Sequence, residues 1–371
     1  MERRSVNAPA KLFELLQQEA REAGIPLSGA VDLALCQDLL RTEIQRYDEW
    51  LHLGMSGAMD YLVRGRDRRS KPALVFPGAK SIFTVALPYK KSPGGAADPA
   101  AGARYARYIQ GRDYHLEIPG MLDALMRNVS EKWRAQSGAT LNWKICVDTS
   151  AVLERFWAAT TGLGWIGKNT LLINPNFGSY LFLGSVFIDQ EVGRGPAPIA
   201  DFCGNCSRCL DGCPTKAFTR AKQLDSNRCI SYWTLEKRGA LEISEKDRES
   251  MGSWIAGCDI CQEVCPFNIK PVKAELASSP PAEDATQLSE WGPLLTELES
   301  SYRARIKNSS LSRVKPAMFR RNMAIALSNA SPSFTGDQKK EFGSLVHRQL
   351  ENETDESSRQ EWLRCLALLS R

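Results

Sequence analysis

Eight of the eleven cysteines in this sequence fall between Cys203 and Cys265, at spacings suited to iron-sulfur clusters. The first group, Cys203-Gly-Asn-Cys206-Ser-Arg-Cys209-Leu-Asp-Gly-Cys213-Pro214, is the C-x2-C-x2-C-x3-C-P run that binds four-iron cubes. The second, Cys229 followed by Cys258-Asp-Ile-Cys261-Gln-Glu-Val-Cys265-Pro266, is the same run with its first ligand displaced upstream. In such a run the cysteine before the proline reaches the other cluster. One [4Fe-4S] cluster is therefore expected on Cys203, Cys206, Cys209 and Cys265, and a second on Cys213, Cys229, Cys258 and Cys261. Structural zinc is the alternative that C-x2-C pairs allow. Two C-x3-C-P endings and eight ligands without an accompanying histidine favour clusters over zinc. A disulfide framework fits neither the short spacings nor a chain without a secretory pattern. With every thiolate used, no iron is left open to substrate. The clusters then serve as wiring for chemistry done elsewhere.

The carboxylate that stands out is Asp148, in Val147-Asp-Thr-Ser-Ala-Val-Leu-Glu-Arg155 at the end of a strand-like segment. A carboxyl at the end of a strand, partly desolvated by a bulky cofactor, would keep its proton at neutral pH and act as a general acid. The alternative is an N-cap for a helix beginning near Ala151. Gly162-Leu-Gly-Trp-Ile-Gly-Lys168-Asn-Thr170 contains G-x-G-x-x-G and falls one residue short of a phosphate-binding P-loop, with Asn169 where Ser or Thr would hold magnesium. It follows a helix-like stretch where either motif calls for a strand. A turn whose backbone closely approaches a bulky cofactor is the better reading. The histidines are only His52, His115 and His347, too few for a histidine metal centre or a Ser-His-Asp site.

The elements that must position these groups follow from periodicity. Residues 9 to 22 read as an amphipathic helix ended by Gly24, and Glu43 to Leu53 as a second helix. Ser81 to Tyr89 has the pattern of a buried strand, Leu116 to Gln136 of a long helix and Trp143 to Val147 of a strand that delivers Asp148. Strands are expected again at Thr170 to Asn174 and Tyr180 to Ile188. Ser92 to Gly102, rich in small residues, reads as a mobile loop, and Val192 to Pro198 as a linker. Helices are expected at Leu294 to Arg303, Lys315 to Ser328, Lys339 to Leu350 and Ser358 to Leu369. The fold class is α+β, with an N-terminal α/β part, a small two-cluster segment and a helical tail. Of 371 residues, 43% are hydrophobic and 25% charged, as in an ordinary globular protein of two or three domains. No apolar run is long enough to span a bilayer. Arg3-Arg4 is followed by a charged helix, not the apolar region of an export signal, so a cytoplasmic protein is expected. The net charge of +5 permits a nucleic-acid partner without requiring one. Basic residues gather at Arg64 to Lys71 and at Arg303 to Arg321, as a solvated face or a phosphate-binding one.

In order, these motifs resemble the epoxyqueuosine reductase family. The matching residues are Arg68-Arg-Ser-Lys-Pro72, Pro77-Gly-Ala-Lys-Ser81, Arg104-Tyr-Ala-Arg-Tyr-Ile-Gln-Gly-Arg-Asp-Tyr-His115, Val147-Asp-Thr with Glu154-Arg155, Gly-Trp-Ile-Gly-Lys-Asn-Thr170, Phe177-Gly-Ser-Tyr180, the eight cysteines, Arg228-Cys-Ile-Ser231 and Arg321-Asn. The resemblance runs from about residue 10 to the end. It implies a cobalamin-binding catalytic domain over residues 1–195, a ferredoxin-like two-cluster domain over 196–275 and a HEAT-like helical tRNA-binding domain over 276–371. The implied reaction removes the epoxide oxygen of epoxyqueuosine at the wobble position of tRNA, giving queuosine. Cobalamin is its reactive centre, the clusters relay single electrons, and Asp148 matches the proton donor. Implied cobalamin contacts are Arg69, Ala106, Asp148, Leu172, Leu183, Ser231 and Asp259. Implied tRNA contacts are Lys237, Arg313, Lys315, Arg321 and Asn322. The partners implied are tRNA carrying epoxyqueuosine and an external low-potential donor of flavodoxin or ferredoxin type, with the chain a monomer off the membrane. Ser150-Ala151 stands where many relatives have Gly or Pro. Asp113-Tyr-His115-Leu-Glu-Ile118 begins like the D-x-H-x-x-G signature of cobalamin enzymes that ligate cobalt through histidine, but lacks its glycine, so a ligating His115 is the lesser reading. A reductive dehalogenase-like corrinoid enzyme and a nonenzymatic iron-sulfur or RNA-binding protein are the competing readings. The basic tail and missing export signal disfavour the former, and the latter would leave Asp148 dispensable.

Overall fold

The computed structural model describes residues 8–89, 94–95, 98–109, 111–269 and 289–371. Four strands form the N-terminal sheet, in the spatial order Leu27–Asp32, Ser81–Pro88, Leu181–Ile188 and Trp143–Cys146. Every neighbouring pair is antiparallel. The expected α/β character is thus corrected: helices cover both faces, but no two neighbouring strands of this sheet run parallel. One face carries Phe83, Val85, Val186 and Ile188 onto Leu12 and Leu16 of the helix Ala8–Glu22 and onto Leu122, Met126 and Val129 of the helix Tyr114–Ser137. The other buries Val31, Ile82, Phe187 and Cys146 with Trp157 of the helix Glu154–Thr160. Strands covered on both faces lose the polar alternation of half-exposed ones, which is why Ser81 to Ile188 segments read as continuous apolar runs.

The cluster segment is built of short elements tied to distant parts of the chain. Trp254–Ala256 pairs in parallel with Arg104–Tyr105, which pairs antiparallel with Gly94–Gly95. The described part of the Ser92 to Gly102 segment is therefore anchored, not a free loop. Trp291 Nε1 donates to Pro99 O at 2.9 Å, and Ala103 N to Ser289 O at 2.7 Å. The expected boundary at 275/276 lies outside the described residues, as do Arg3 and Arg4.

The tail contains the helices Trp291–Thr296, Glu299–Ile306, Pro316–Ala330, Gly336–Asn352 and Glu356–Leu369. The single helix expected over Leu294 to Arg303 is two, because Glu297 and Leu298 are extended. Glu297 instead receives Arg305 through Nε at 2.8 Å and Nη2 at 2.7 Å. Pro316 opens its helix at the first position, and Thr335 with Gln338 forms a reciprocal cap. The core of the tail takes in Tyr105, Ala106, Ile109, Leu235, Ile255 and Ala256. Its helices thus pack directly on the segments that hold the site. Among the described residues no helix is long and apolar enough to cross a membrane.

Candidate active site

Asp148 follows the edge strand Trp143–Cys146 with φ +53°, in the left-handed region that L residues seldom adopt. It caps no helix: the helix after it begins at Glu154, and Glu154 Oε1 accepts the Asp148 N–H at 2.7 Å. That contact holds the turn and presents the Asp148 side chain, 41% exposed, to solvent. His115 Nε2 lies 2.9 Å from Asp148 Oδ2, and His115 Nδ1 lies 2.5 Å from Asp113 Oδ1. Asp113 also caps the helix Tyr114–Ser137 by accepting the His115 N–H at 3.0 Å. His115 stacks on Tyr114, whose ring stacks in turn on Phe182.

Burial would push the Asp148 carboxyl up, as the sequence reading expects, but the hydrogen bond and charge of His115, with Arg313 and Tyr114, outweigh it and hold the carboxyl below its ordinary value. Burial would likewise pull His115 down, yet the hydrogen bonds of Asp148 and Asp113 raise it. The expectation of a protonated Asp148 is therefore corrected: its carboxyl is held on the ionised side, and the imidazole keeps a proton more tightly than an ordinary histidine. Sequence reasoning missed this partner of Asp148 because the two lie 33 positions apart. It also left Glu154 without a role. Burial pushes that carboxyl up to about 8, against the opposing pull of the Asp148 N–H, so it buttresses the turn without adding a full charge beside Asp148.

Side chains from three stretches of the chain come close to the half-exposed Asp148 and line the hollow in front of it as we read the site. Arg155 is exposed, yet burial among protein atoms still pulls its guanidinium down. Tyr61 is 44% exposed and feels the charges of Glu236, Arg313 and Asp148. Arg313 pairs with Glu236 at this rim. A separate groove of about 840 Å³ under the helix Gln37–His52, lined by Leu40, Ile44, Arg66 and Trp157 among others, contains none of these groups.

The expected cofactor contacts fall in distinct surroundings. Arg69 Nη1 is buried without a hydrogen-bond partner. A Cβ on Gly65 would stand 2.2 Å from that nitrogen and 3.1 Å from the Ala151 Cβ, so Gly65 gives the guanidinium its space beside the Asp148 turn. Leu172 and Leu183 meet in one apolar cluster with Ala86 and Ala158. Ala106 is buried against Gly257, and Ser231 lies on the short helix Ile230–Leu235. Asp259 is 1% exposed and joins two segments, accepting from Arg107 N at 2.7 Å and Gln262 Nε2 at 3.2 Å. Burial pushes its carboxyl up to about 6.

None of the eight cysteines is in a disulfide. Burial pushes Cys209 up to about 11, and the neighbouring charges that add to this are Cys265, Cys203 and Cys206, the tetrad expected from the spacing. Burial likewise dominates at Cys258, with Cys229 and Cys213 adding to it. Crowded thiolates repel one another, and a cationic iron core relieves that repulsion. The first tetrad is the outer one, with Cys206 exposed.

The Gly162 to Thr170 loop packs on the segment of this outer tetrad. Lys168 Nζ donates to Gly204 O at 2.6 Å and Cys206 O at 2.9 Å, and Trp165 Nε1 approaches Cys203 Sγ at 3.4 Å. A Cβ on Gly164 would lie 2.3 Å from Ile173 O, so this glycine serves the close pairing of Trp165–Ile166 with Leu172–Ile173. Replacing Lys168 by Met removes two charge-assisted hydrogen bonds from the Cys203 to Cys206 loop. Loss of the outer cluster to a chelator should speed up about tenfold, the factor set by one such bond. Iron content and the spectrum of the reduced protein would show it, with the inner cluster retained.

The expected tRNA residues divide into two kinds. Lys315 and Arg313 are exposed and Lys237 is partly so. Arg321 and Asn322 are 0% exposed and cannot touch an external ligand, which corrects that expectation. Arg321 donates to the carbonyls of Lys237 at 2.8 Å and Trp233 at 2.7 Å, while Asn322 donates to Thr234 O at 2.9 Å and Ile255 O at 3.0 Å. Much of the basic run is likewise internally paired, with Arg303 on Glu299, Arg305 on Glu297 and Arg320 on Glu353.

Comparison with known proteins places these features in context. Residues 202–268 match the family described as 4Fe-4S double cluster binding domain, and residues 69–149 match Epoxyqueuosine reductase QueG, DUF1730. The chain is 36% identical over 327 residues to the epoxyqueuosine reductase of Pseudomonas aeruginosa, covering 87% of this chain and 86% of that one. It is 35% identical over 328 residues to that of Synechococcus sp. RCC307, covering 86% and 95%. A crystal structure of epoxyqueuosine reductase with a tRNA-Tyr epoxyqueuosine-modified stem loop is similar at a TM-score of 0.75 and 26% identity, covering 98% of this chain and all of that one.

Proposed function

The chain belongs to the epoxyqueuosine reductase family, and from that premise we propose how its own residues remove the epoxide oxygen of epoxyqueuosine at the wobble position of tRNA. It is an oxidoreductase with a double [4Fe-4S] domain. The observation that carries the reading is the convergence of three stretches on one cleft: Asp148 from the N-terminal sheet, Glu236 beside the cluster segment and Arg313 from the tail.

The residues around Asp148 would suit cobalamin. The unpartnered Arg69 Nη1 is a donor awaiting an acceptor, the Leu172 and Leu183 cluster offers an apolar wall, and Ser231 and Asp259 border the inner tetrad. Bound there, it supplies low-valent cobalt chemistry able to open a strained C–O bond. Arg69, Ala106, Leu172, Leu183, Ser231 and Asp259 hold it, some through backbone atoms, while Asp148 delivers a proton to the epoxide oxygen. Cys203, Cys206, Cys209 and Cys265 would hold the outer cluster, near the surface at Cys206, and Cys213, Cys229, Cys258 and Cys261 the inner one, and together these would supply single-electron relay from a flavodoxin- or ferredoxin-type donor. Lys237, Arg313 and Lys315 rim the cleft and take phosphates of the anticodon stem loop, so the modified base is flipped out toward Asp148. Arg321 and Asn322 act behind them by fixing the turn that carries Lys237. Residues 1–195, 196–275 and 276–371 serve as catalytic, ferredoxin-like and HEAT-like tRNA-binding domains of a cytoplasmic monomer.

Anaerobic reconstitution with iron, sulfide and cobalamin, then incubation with epoxyqueuosine-containing tRNA and a strong reductant, should yield queuosine in nucleoside digests. A protein that retained both clusters and the corrinoid yet formed none would refute the reading.

A further inference from the structure

Both ring nitrogens of His115 face carboxylate oxygens, Nδ1 that of Asp113 and Nε2 that of Asp148. A neutral imidazole carries one N–H and could satisfy only one of them. The other nitrogen would then set a lone pair against a carboxylate lone pair. The two contacts therefore need a second proton, and while the Asp148 carboxyl is held low that proton is the one that makes the imidazolium. Removal of an epoxide oxygen breaks two C–O bonds, forms one C=C bond and releases water, which consumes two electrons and two protons. The reductase supplies the electrons through its clusters. Asp148, ionised beside His115, has no proton of its own to give.

We propose that His115 is the proton store of this site: its imidazolium passes each of the two protons through Asp148 to the departing oxygen and is recharged from solvent between them. This rests on the reading of Asp148 as the proton donor. The step moves the Nε2 proton to Asp148 Oδ2 and from that carboxyl to the epoxide oxygen, first making the hydroxyl and then the leaving water. Asp113 stays ionised, fixes the ring through Nδ1 and stabilises the charged state. Asp113 is itself fixed, because its N–H donates to Asn308 O at 2.9 Å while its side chain caps the helix that begins at Tyr114. The other groups facing the pair are the Tyr114 hydroxyl and, across the cleft, Tyr108, Glu154, Glu236 and Arg313. Arg313 is the cation among them. It favours the ionised Asp148, so the proton returns to His115 whenever the carboxylate is not engaged by substrate.

The presence of just three histidines makes the test direct. In the cluster-loaded protein labelled with ¹⁵N-histidine, the imidazole signal that disappears in His115→Gln should stay doubly protonated above the ordinary histidine range, and its transition should fall to lower pH in Asp148→Asn. Single-turnover reduction should decline as pH rises through the raised His115 value. His115→Gln keeps a donor to Asp148 but no acidic proton, and should slow turnover on the order of 10²-fold. Imidazole added to His115→Gly should restore much of the rate. An ordinary His115 titration, or a His115→Gln enzyme with the wild-type rate and pH profile beside an inactive Asp148→Asn, would overturn the proton store alone. Full activity of Asp148→Asn would instead remove the donor reading beneath it.

Discussion

Asp148→Asn is expected to lower single-turnover formation of queuosine by about 10²- to 10⁴-fold, the range that general acid catalysis contributes. Asparagine is the informative replacement because, like aspartate, it tolerates the left-handed backbone that Asp148 adopts at φ +53°. The turn held by the Asp148 N–H on Glu154 then survives, and only the transferable proton is lost. Alanine at the same position would add backbone strain and confuse the two effects. The variant should keep both clusters, shown by iron content, and should bind modified stem loop with an affinity close to wild type, since phosphate contacts dominate that affinity. A decline in tRNA binding as large as the decline in rate would indicate that Asp148 positions the base instead of protonating it.

Arg321→Ala should produce the largest loss of stability. Its side chain is wholly buried, and three carbonyl oxygens, of Trp233, Lys237 and Gly239, together with Asn322 Oδ1, accept from it. Burial pulls the guanidinium down to about 10, still charged at neutral pH, so these are charge-assisted bonds. Truncation leaves the acceptors desolvated and unpaired at roughly 1–3 kcal/mol each, and a total above about 3 kcal/mol follows even if water reaches one of them. Against a typical domain stability of about 5–15 kcal/mol that is a large fraction, measurable as a lowered urea midpoint. Stem-loop binding by the fraction still folded should keep its salt dependence, whereas Lys315→Ala should flatten that dependence by about one unit of slope. A stable Arg321→Ala protein with a flattened salt slope would return Arg321 to the tRNA surface.

What the sequence determined by itself is the chemistry whose ligands are close in the chain. C-x2-C-x2-C-x3-C-P is local geometry, so the double-cluster domain was legible, as were the strands Ser81–Pro88 and Leu181–Ile188 and the long helix at Tyr114. Asp148 could be singled out because it ends a recognisable strand. Tertiary structure decided the rest. Strand direction depends on how connections cross the sheet, and periodicity is the same for parallel and antiparallel neighbours. Whether a charge meets solvent depends on what packs over it, so Arg321 and Arg313 look alike in the sequence, yet one is a buried strut and the other rims the cleft. Where the proton sits is decided by distance. Asp148 alone in an apolar setting would keep it, but folding brings His115 within 2.9 Å, and the charge of the imidazolium outweighs the cost of burying the carboxylate.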